Sequence, residues 1–134
     1  MEKYFVDTWF LVALVDPYDQ HHRIAVQVER SLTRARFVTH DGVLMEFLTS
    51  FAADGARARA AAVATVRDCM LRYEVFPSDR DLFLRALSRY ETRGDKQYSL
   101  VDCMSMVLME ERGIRYVLTN DHHFTQAGFI VVNS

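Results

Sequence analysis

Apolar residues are distributed along this chain in two ways. Some form short solid runs: Tyr4-Phe5-Val6, Phe37-Val38-Thr39, residues 73–76, Tyr116-Val117-Leu118-Thr119 and residues 129–132. Others recur every three or four positions over longer stretches, as do Ile24, Val28 and Leu32, then Leu82, Phe83, Ala86, Leu87 and Tyr90, then Val101, Met104, Val107 and Leu108. The first pattern predicts buried strands and the second predicts helices with one face inward. Turn and capping residues fall between them. Asp16-Pro17-Tyr18-Asp19 predicts a turn, with Asp19 as a cap for a helix over about residues 20–35. His40-Asp41-Gly42 predicts a loop and cap. Asp54-Gly55 separates a helix carrying Val43, Leu44, Phe47, Leu48 and Phe51 from an Ala- and Arg-rich helix over 56–72. Pro77 ends the third strand, with Ser78 and Asp79 as caps for the helix that follows. Gly94-Asp95-Lys96-Gln97 is a polar loop, and Gly113 stops the last long helix.

The resulting order alternates strands with helical stretches, which predicts a parallel sheet covered by helices. At 134 residues, with half of them hydrophobic and a quarter charged, the chain fits one domain over residues 1–134 with its own core. Its apolar runs are too short to span a bilayer, and Asp7 interrupts the first of them, so a cytoplasmic, non-membrane protein is expected. Cys69 and Cys103 each sit inside an apolar helical pattern and read as small buried thiols.

Four acids change the picture. Asp7 closes the first apolar run, Glu46 lies a helical turn or two past the second, Asp102 follows Ser99 at a helix start, and Asp121 follows the fourth run. In an open α/β sheet, ligands collect at the carboxyl ends of strands, so acids far apart in sequence can meet there. Two carboxylates about 4 Å apart repel by roughly 4 kcal/mol at an effective dielectric of ~20, and an oxygen-rich cluster of this kind suits Mg²⁺ or Mn²⁺. Each acid also has a plainer reading. Asp7 and Asp121 fit strand-terminal turns, Glu46 the exposed side of an amphipathic helix, and Ser99-x-x-Asp102 a capping box.

Taken together, Val6-Asp7-Thr8, the helical Glu46, Ser99-Leu100-Val101-Asp102-Cys103 and Thr119-Asn120-Asp121-His122-His123-Phe124 resemble the PIN-domain ribonucleases. The resemblance is greatest to their small members, the VapC-type toxins of prokaryotic toxin–antitoxin pairs. It extends over essentially the whole chain and includes Asp95, Lys96, Tyr98, Ala127, Gly128 and Phe129. Where many such sequences carry a small residue two positions after the first acid, this one has Trp9, either a ring beside the site or part of the core.

The resemblance implies a PIN-like three-layer α/β/α sandwich with a central, mostly parallel sheet of four or five strands. It implies that Asp7, Glu46, Asp102 and Asp121 are metal-site carboxylates, oriented by the hydroxyls of Thr8, Ser99 and Thr119. With Mg²⁺ or Mn²⁺ they would hydrolyse RNA phosphodiester bonds, leaving a 5′-phosphate and a 3′-hydroxyl. A cognate antitoxin that sends a basic or aromatic segment into the acidic groove is implied as a partner. A homodimer is expected too, with Leu44, Phe47, Leu48, Phe51 and the Ala-rich helix as an exposed apolar patch.

Net charge is −2, and 14 of the 16 basic residues are Arg. Arg85, Arg89 and Arg93 repeat every four residues and read either as a phosphate-binding stripe or as a solvated face with local ion pairs. With Lys96, Arg93 is the nearest cation in sequence to the acids and a candidate RNA contact. The adjacent pairs His21-His22 and His122-His123 lack the spacing of paired helical ligands, so they are expected to line or pack the site. Two other readings compete. One is a PIN-fold RNA-processing nuclease without an antitoxin, which the absence of a small DNA-binding protein gene next door would favour. The other is a receiver-like Mg²⁺-binding module, which lacks here a phosphoacceptor Asp directly after the third strand and a Lys after the last.

Overall fold

The computed structural model describes residues 1–94 and 97–134. Among these residues are five strands and seven helices, in the order β1 (Glu2–Val6), α1 (Thr8–Val15), α2 (His22–Ser31), β2 (Ala35–His40), α3 (Asp41–Ser50), α4 (Ala56–Arg72), β3 (Glu74–Phe76), α5 (Arg80–Thr92), α6 (Leu100–Arg112), β4 (Tyr116–Leu118), α7 (His122–Gln126) and β5 (Ile130–Val132). The strands form one parallel sheet in the order β3-β2-β1-β4-β5. The helices cover both faces, giving the three-layer α/β/α sandwich.

Strand residues alternate between the two layers, as a period of two requires. Phe5, Val38 and Val117 pack with Leu82 and Ala86 of α5 and with the buried stretch Cys103–Met109 of α6. Val6 and Leu118 point the other way, into a second cluster with Phe10, Leu11, Ala25, Val28, Leu44, Phe47, Ala62 and Cys69 from α1–α4. Both layers are therefore dry. Fully burying a side chain of the size of Phe5 or Phe47 is worth roughly 1.5–3 kcal/mol.

Local rules place most helix ends. Asp79 accepts the Leu82 amide at the start of α5, and Gly113 takes the left-handed conformation (φ 67°) that closes α6. Both cysteines are buried free thiols, as their apolar settings predict. No helix among the described residues is long and apolar enough to cross a membrane.

Three expectations need correction. β2 begins at Ala35 and runs through His40, so α2 is shorter than 20–35, and Asp41 and Gly42 already belong to α3. Asp19 caps the turn before α2 by accepting the His21 amide, while the helix N-cap itself is His21. The stripe on α3 is not an exposed patch. Leu44 and Phe47 are buried, and Leu48 and Phe51 pack against the same cluster beneath α4. The Ala-rich helix folds back over this stripe, its small side chains allowing close approach, while its own Val63, Met70 and Leu71 are exposed.

Candidate metal centre at the sheet switch point

Leaving β1, the sheet is built outward through β2 and β3 on one side and β4 and β5 on the other. The crevice between β1 and β4 is the switch point, where connections diverge and ligand sites form. Val6 and Leu118 are in register there, so both strands end at one level. Asp7 follows β1 as the N-cap of α1, and its amide donates to the Leu118 carbonyl (3.2 Å). Thr119 follows β4 and donates its hydroxyl proton to Asp7 Oδ2 (2.8 Å). The same hydroxyl accepts the Asp121 amide (3.1 Å), so one buried threonine ties two acids together. Asp121 caps α7 by accepting the His123 amide (2.9 Å).

The other two acids come from helices that lean over this edge. Ser99 and Asp102 form a reciprocal capping box. The Asp102 amide donates to Ser99 Oγ (3.0 Å), and the Ser99 amide donates to Asp102 Oδ2 (3.1 Å). Glu46, on α3, accepts the Thr8 hydroxyl proton on Oε1 (2.6 Å). Thus Thr8, Ser99 and Thr119 each hold one of the acids, and each leaves part of the carboxylate for another ligand.

The electrostatics bind the four into one unit. Asp7 is only 6 % exposed. Burial pushes its carboxyl up to about 7; the Thr119 hydroxyl and Thr8 amide oppose the rise, while the charges of Asp102 and Glu46 add to it. Asp102 is raised as well, first by burial and then by the charges of Asp121 and Glu46, against its bonds to Ser99. A group of acids that resists ionising in this way is where a divalent cation gains most.

One further candidate ligand was not read from spacing. His123 Nδ1 lies 3.1 Å from Asp121 Oδ1, and donor atoms of Asp102, Asp121 and His123 lie within 4.8 Å of one another. The ring also stands edge-on to Tyr98, 5.5 Å between centroids. The His122-His123 doublet has no chelating periodicity; it is the one-turn helix after Asp121 that swings the second imidazole back toward the acids. Carboxylate oxygens with at most one imidazole are the donor set of Mg²⁺ or Mn²⁺ rather than of zinc, so the residues present fit such an ion.

His40 connects the parts. It is completely buried at the end of β2. Ser105 donates its proton to the Val101 carbonyl (3.0 Å), so it must accept from His40 Nε2 (2.9 Å). That assigns the proton to Nε2 and leaves Nδ1 to accept the Gly42 amide (3.0 Å) and face Ser78 Oγ (3.2 Å). Burial lowers its pKa to about 4 and keeps it neutral. Through this ring β2, the start of α3, the loop before α5 and the first turns of α6 are locked together, which sets Glu46 against Asp102.

Of the basic residues, Arg85 pairs with Asp81 and Glu111, and Arg89 with Glu110 (2.6 Å). Two members of the arginine stripe therefore knit α5 to α6, as the ion-pair reading expects. Arg93 is the exposed C-cap of α5, close enough to α6 for its charge to act on Cys103 beside Asp102. Lys96 and Asp95 lie outside the described residues. Trp9 is half-buried, its ring against that of His21 (4.9 Å between centroids), at the edge of the second core cluster.

The family profile of the PIN domain matches residues 4–130. This chain belongs to the PIN-domain family. Within that family it is similar to the VapC toxins. It is 32 % identical over 129 residues to the 23S rRNA-specific endonuclease VapC20 of Mycobacterium tuberculosis, covering 96 % of each chain. The crystal structure of that protein, described as a sarcin-ricin loop cleaving toxin, superposes with a TM-score of 0.86 at 28 % identity, covering 98 % of this chain and 99 % of that one. FitAcB from Neisseria gonorrhoeae shares the fold, with a TM-score of 0.69 at 16 % identity over 97 % of this chain and 96 % of the other. A PIN domain of this kind is a nuclease, and the convergence of Asp7, Glu46, Asp102 and Asp121 falls where its chemistry would be done.

Proposed function

We propose that this PIN domain is a Mg²⁺- or Mn²⁺-dependent endoribonuclease, the toxin of a toxin–antitoxin pair, and that its substrate is a loop of ribosomal RNA. One observation carries the catalytic part: four carboxylates from four separate segments meet at the switch point, the most buried of them with its carboxyl held near neutrality. The rRNA substrate is inferred from the relative described as 23S rRNA-specific, which matches this chain along its length.

In this reading Asp7, Glu46, Asp102 and Asp121 would hold the ion, with His123 at the edge of the site. Once bound, the ion supplies Lewis acidity for water activation and neutralises phosphate charge. The protein's own work is orientation. Thr119 holds Asp7 and Asp121 at a fixed separation, Ser99 holds Asp102, and Thr8 holds Glu46. No histidine base is required, because the bound ion would activate the water. Arg93, and Lys96 in the loop before Ser99, are proposed to meet phosphates flanking the scissile bond, because the acids themselves repel RNA.

A cognate antitoxin and a homodimer are part of the proposal. Support for the antitoxin comes from the VapBC assembly of Salmonella typhimurium, which shares the fold (TM-score 0.64). The test is to map new RNA 5′ ends in cells expressing the chain against an Asp7→Asn control. Cuts confined to one rRNA loop and absent from the control support the reading; identical 5′-end profiles would reject it.

A further inference from the structure

Beside the acids lies a groove of about 630 Å³, walled by Met45, Phe83, Val101 and Met104 and continuous with Thr8 and Glu46. Among the described residues no lysine or arginine lines it, so it is not a track for phosphates. Its polar rim consists of four hydroxyls, Thr8, Thr49, Ser50 and Ser78, together with Glu46.

Three of those hydroxyls have already spent their proton. Thr8 donates to Glu46 (2.6 Å), Thr49 to the Met45 carbonyl (2.9 Å) and Ser50 to the Phe47 carbonyl (2.7 Å). Ser78 accepts the Gly42 amide (2.9 Å) and lies 3.2 Å from His40 Nδ1. The oxygens of Thr8, Thr49, Ser50 and Glu46 therefore offer lone pairs to the groove. An apolar groove edged by acceptors is complementary to an aromatic ring carrying N–H donors. Adenine, cytosine and guanine have exocyclic amino groups. Uracil has none, and its N–H is flanked by two carbonyls that the rim lone pairs repel.

We propose that this groove is the subsite for an unpaired, amino-bearing nucleobase next to the scissile phosphate, and that it sets the cleavage sequence. The inference rests on the ribonuclease reading. The phosphate stays at the acids, and the adjoining base turns into the slot between Met45 on α3 and Phe83 on α5, where thioether and ring contacts hold its faces. Single-stranded RNA is commonly read in this way, by stacking plus hydrogen bonds to an exposed base edge.

The test uses the full chain with Mn²⁺ and a set of unstructured RNA oligonucleotides randomised around the cut, with products mapped by sequencing. Wild type is expected to disfavour uracil at one position flanking the cut. Replacing the preferred base there by its analogue without the amino group should lower kcat/KM roughly tenfold, the equivalent of about 1.4 kcal/mol for a hydrogen bond. The double substitution Thr49→Val with Ser50→Ala should flatten that preference while cleavage at uracil persists. Met45→Ala should instead weaken all bases together. All three positions are surface residues of α3, and circular dichroism with a melting curve checks that each variant is folded.

Cleavage without flanking preference, or an unchanged profile in the double variant, overturns the subsite and leaves the nuclease reading standing. No cleavage of any RNA by wild type, with none bound by the Asp121→Asn chain, overturns both. If Met45→Ala changes only the grip of a co-expressed antitoxin, the groove belongs to a protein partner and the proposal falls.

Discussion

Asp7→Asn gives the sharpest test of the site's electrostatics, because it changes charge while keeping shape. The asparagine oxygen can still accept the Thr119 hydroxyl that now bonds Asp7 Oδ2 at 2.8 Å. What disappears is the cost of ionising a buried carboxyl. In the unfolded chain that group titrates near 3.8, and in the folded, metal-free protein near 7. The sign follows from linkage. Between those values the folded state binds the extra proton, so the wild type loses stability as pH rises from about 4 to about 7, and at about pH 8 the whole penalty is present. Its size is about 4 kcal/mol as a ceiling, since relaxation and water entry reduce it. The metal-free variant should therefore be more stable than wild type by about 1–4 kcal/mol at about pH 8, or roughly 3–15 °C in melting temperature. The gap should close as pH falls toward about 4. Urea unfolding in chelator, across the pH range, measures it. Adding Mn²⁺ should then stabilise the wild type and leave the variant nearly unmoved. A variant less stable than wild type at every pH would refute the reasoning and leave Asp7 as an ordinary helix cap.

His40 should produce the opposite pH trend. Its pKa falls from 6.5 to about 4 on folding, so the stability from keeping it neutral is complete above 6.5 and drains away as pH drops through 4; the Asp7→Asn background exposes this as a steep acid limb in the urea series. Replacing it by Ala should cost about 2–4 kcal/mol in urea unfolding, because the Gly42 amide and the Ser105 hydroxyl lose their buried partner. Chelator should abolish RNA cleavage and Mn²⁺ should restore it; cleavage by protein confirmed metal-free would count against the mechanism. Arg93→Ala, in an Asp121→Asn background, should weaken single-stranded RNA binding and reduce its salt slope by about one, whereas an unchanged slope would assign Arg93 to the solvated face.

Much of this architecture was legible in the sequence because it follows from local rules. Short apolar runs such as Tyr4-Phe5-Val6 announced the strands, and Ser99-x-x-Asp102 and Gly113 announced the ends of α6. The acids were legible because a strand followed at once by Asp, as at Asp7, places that acid at the sheet's carboxyl edge. Features set by tertiary packing were not. The α3 stripe looked exposed because periodicity marks an apolar face without naming what covers it, and α4 covers it. His123 has no spacing signal, since its approach to Asp102 and Asp121 depends on how α7 turns. His40 read as part of a loop because its three partners, Gly42, Ser78 and Ser105, lie up to 65 residues away.

Asp7 and Asp121 are each the N-cap of a helix as well as facing the crevice. On the proposed toxin reading, a cell expressing this protein gains from any change that silences it, yet unfolded chains burden the same cell. At these two positions asparagine meets both demands, being a good helix cap and a poor cation ligand, and the genetic code sets it one transition away from aspartate. Glu46 begins no helix and is free of that bias. Survivors of forced expression should therefore collect Asp→Asn changes at the two caps and a wider mix of residues at Glu46. Degenerate copies of such a gene would then keep encoding folded, inactive proteins.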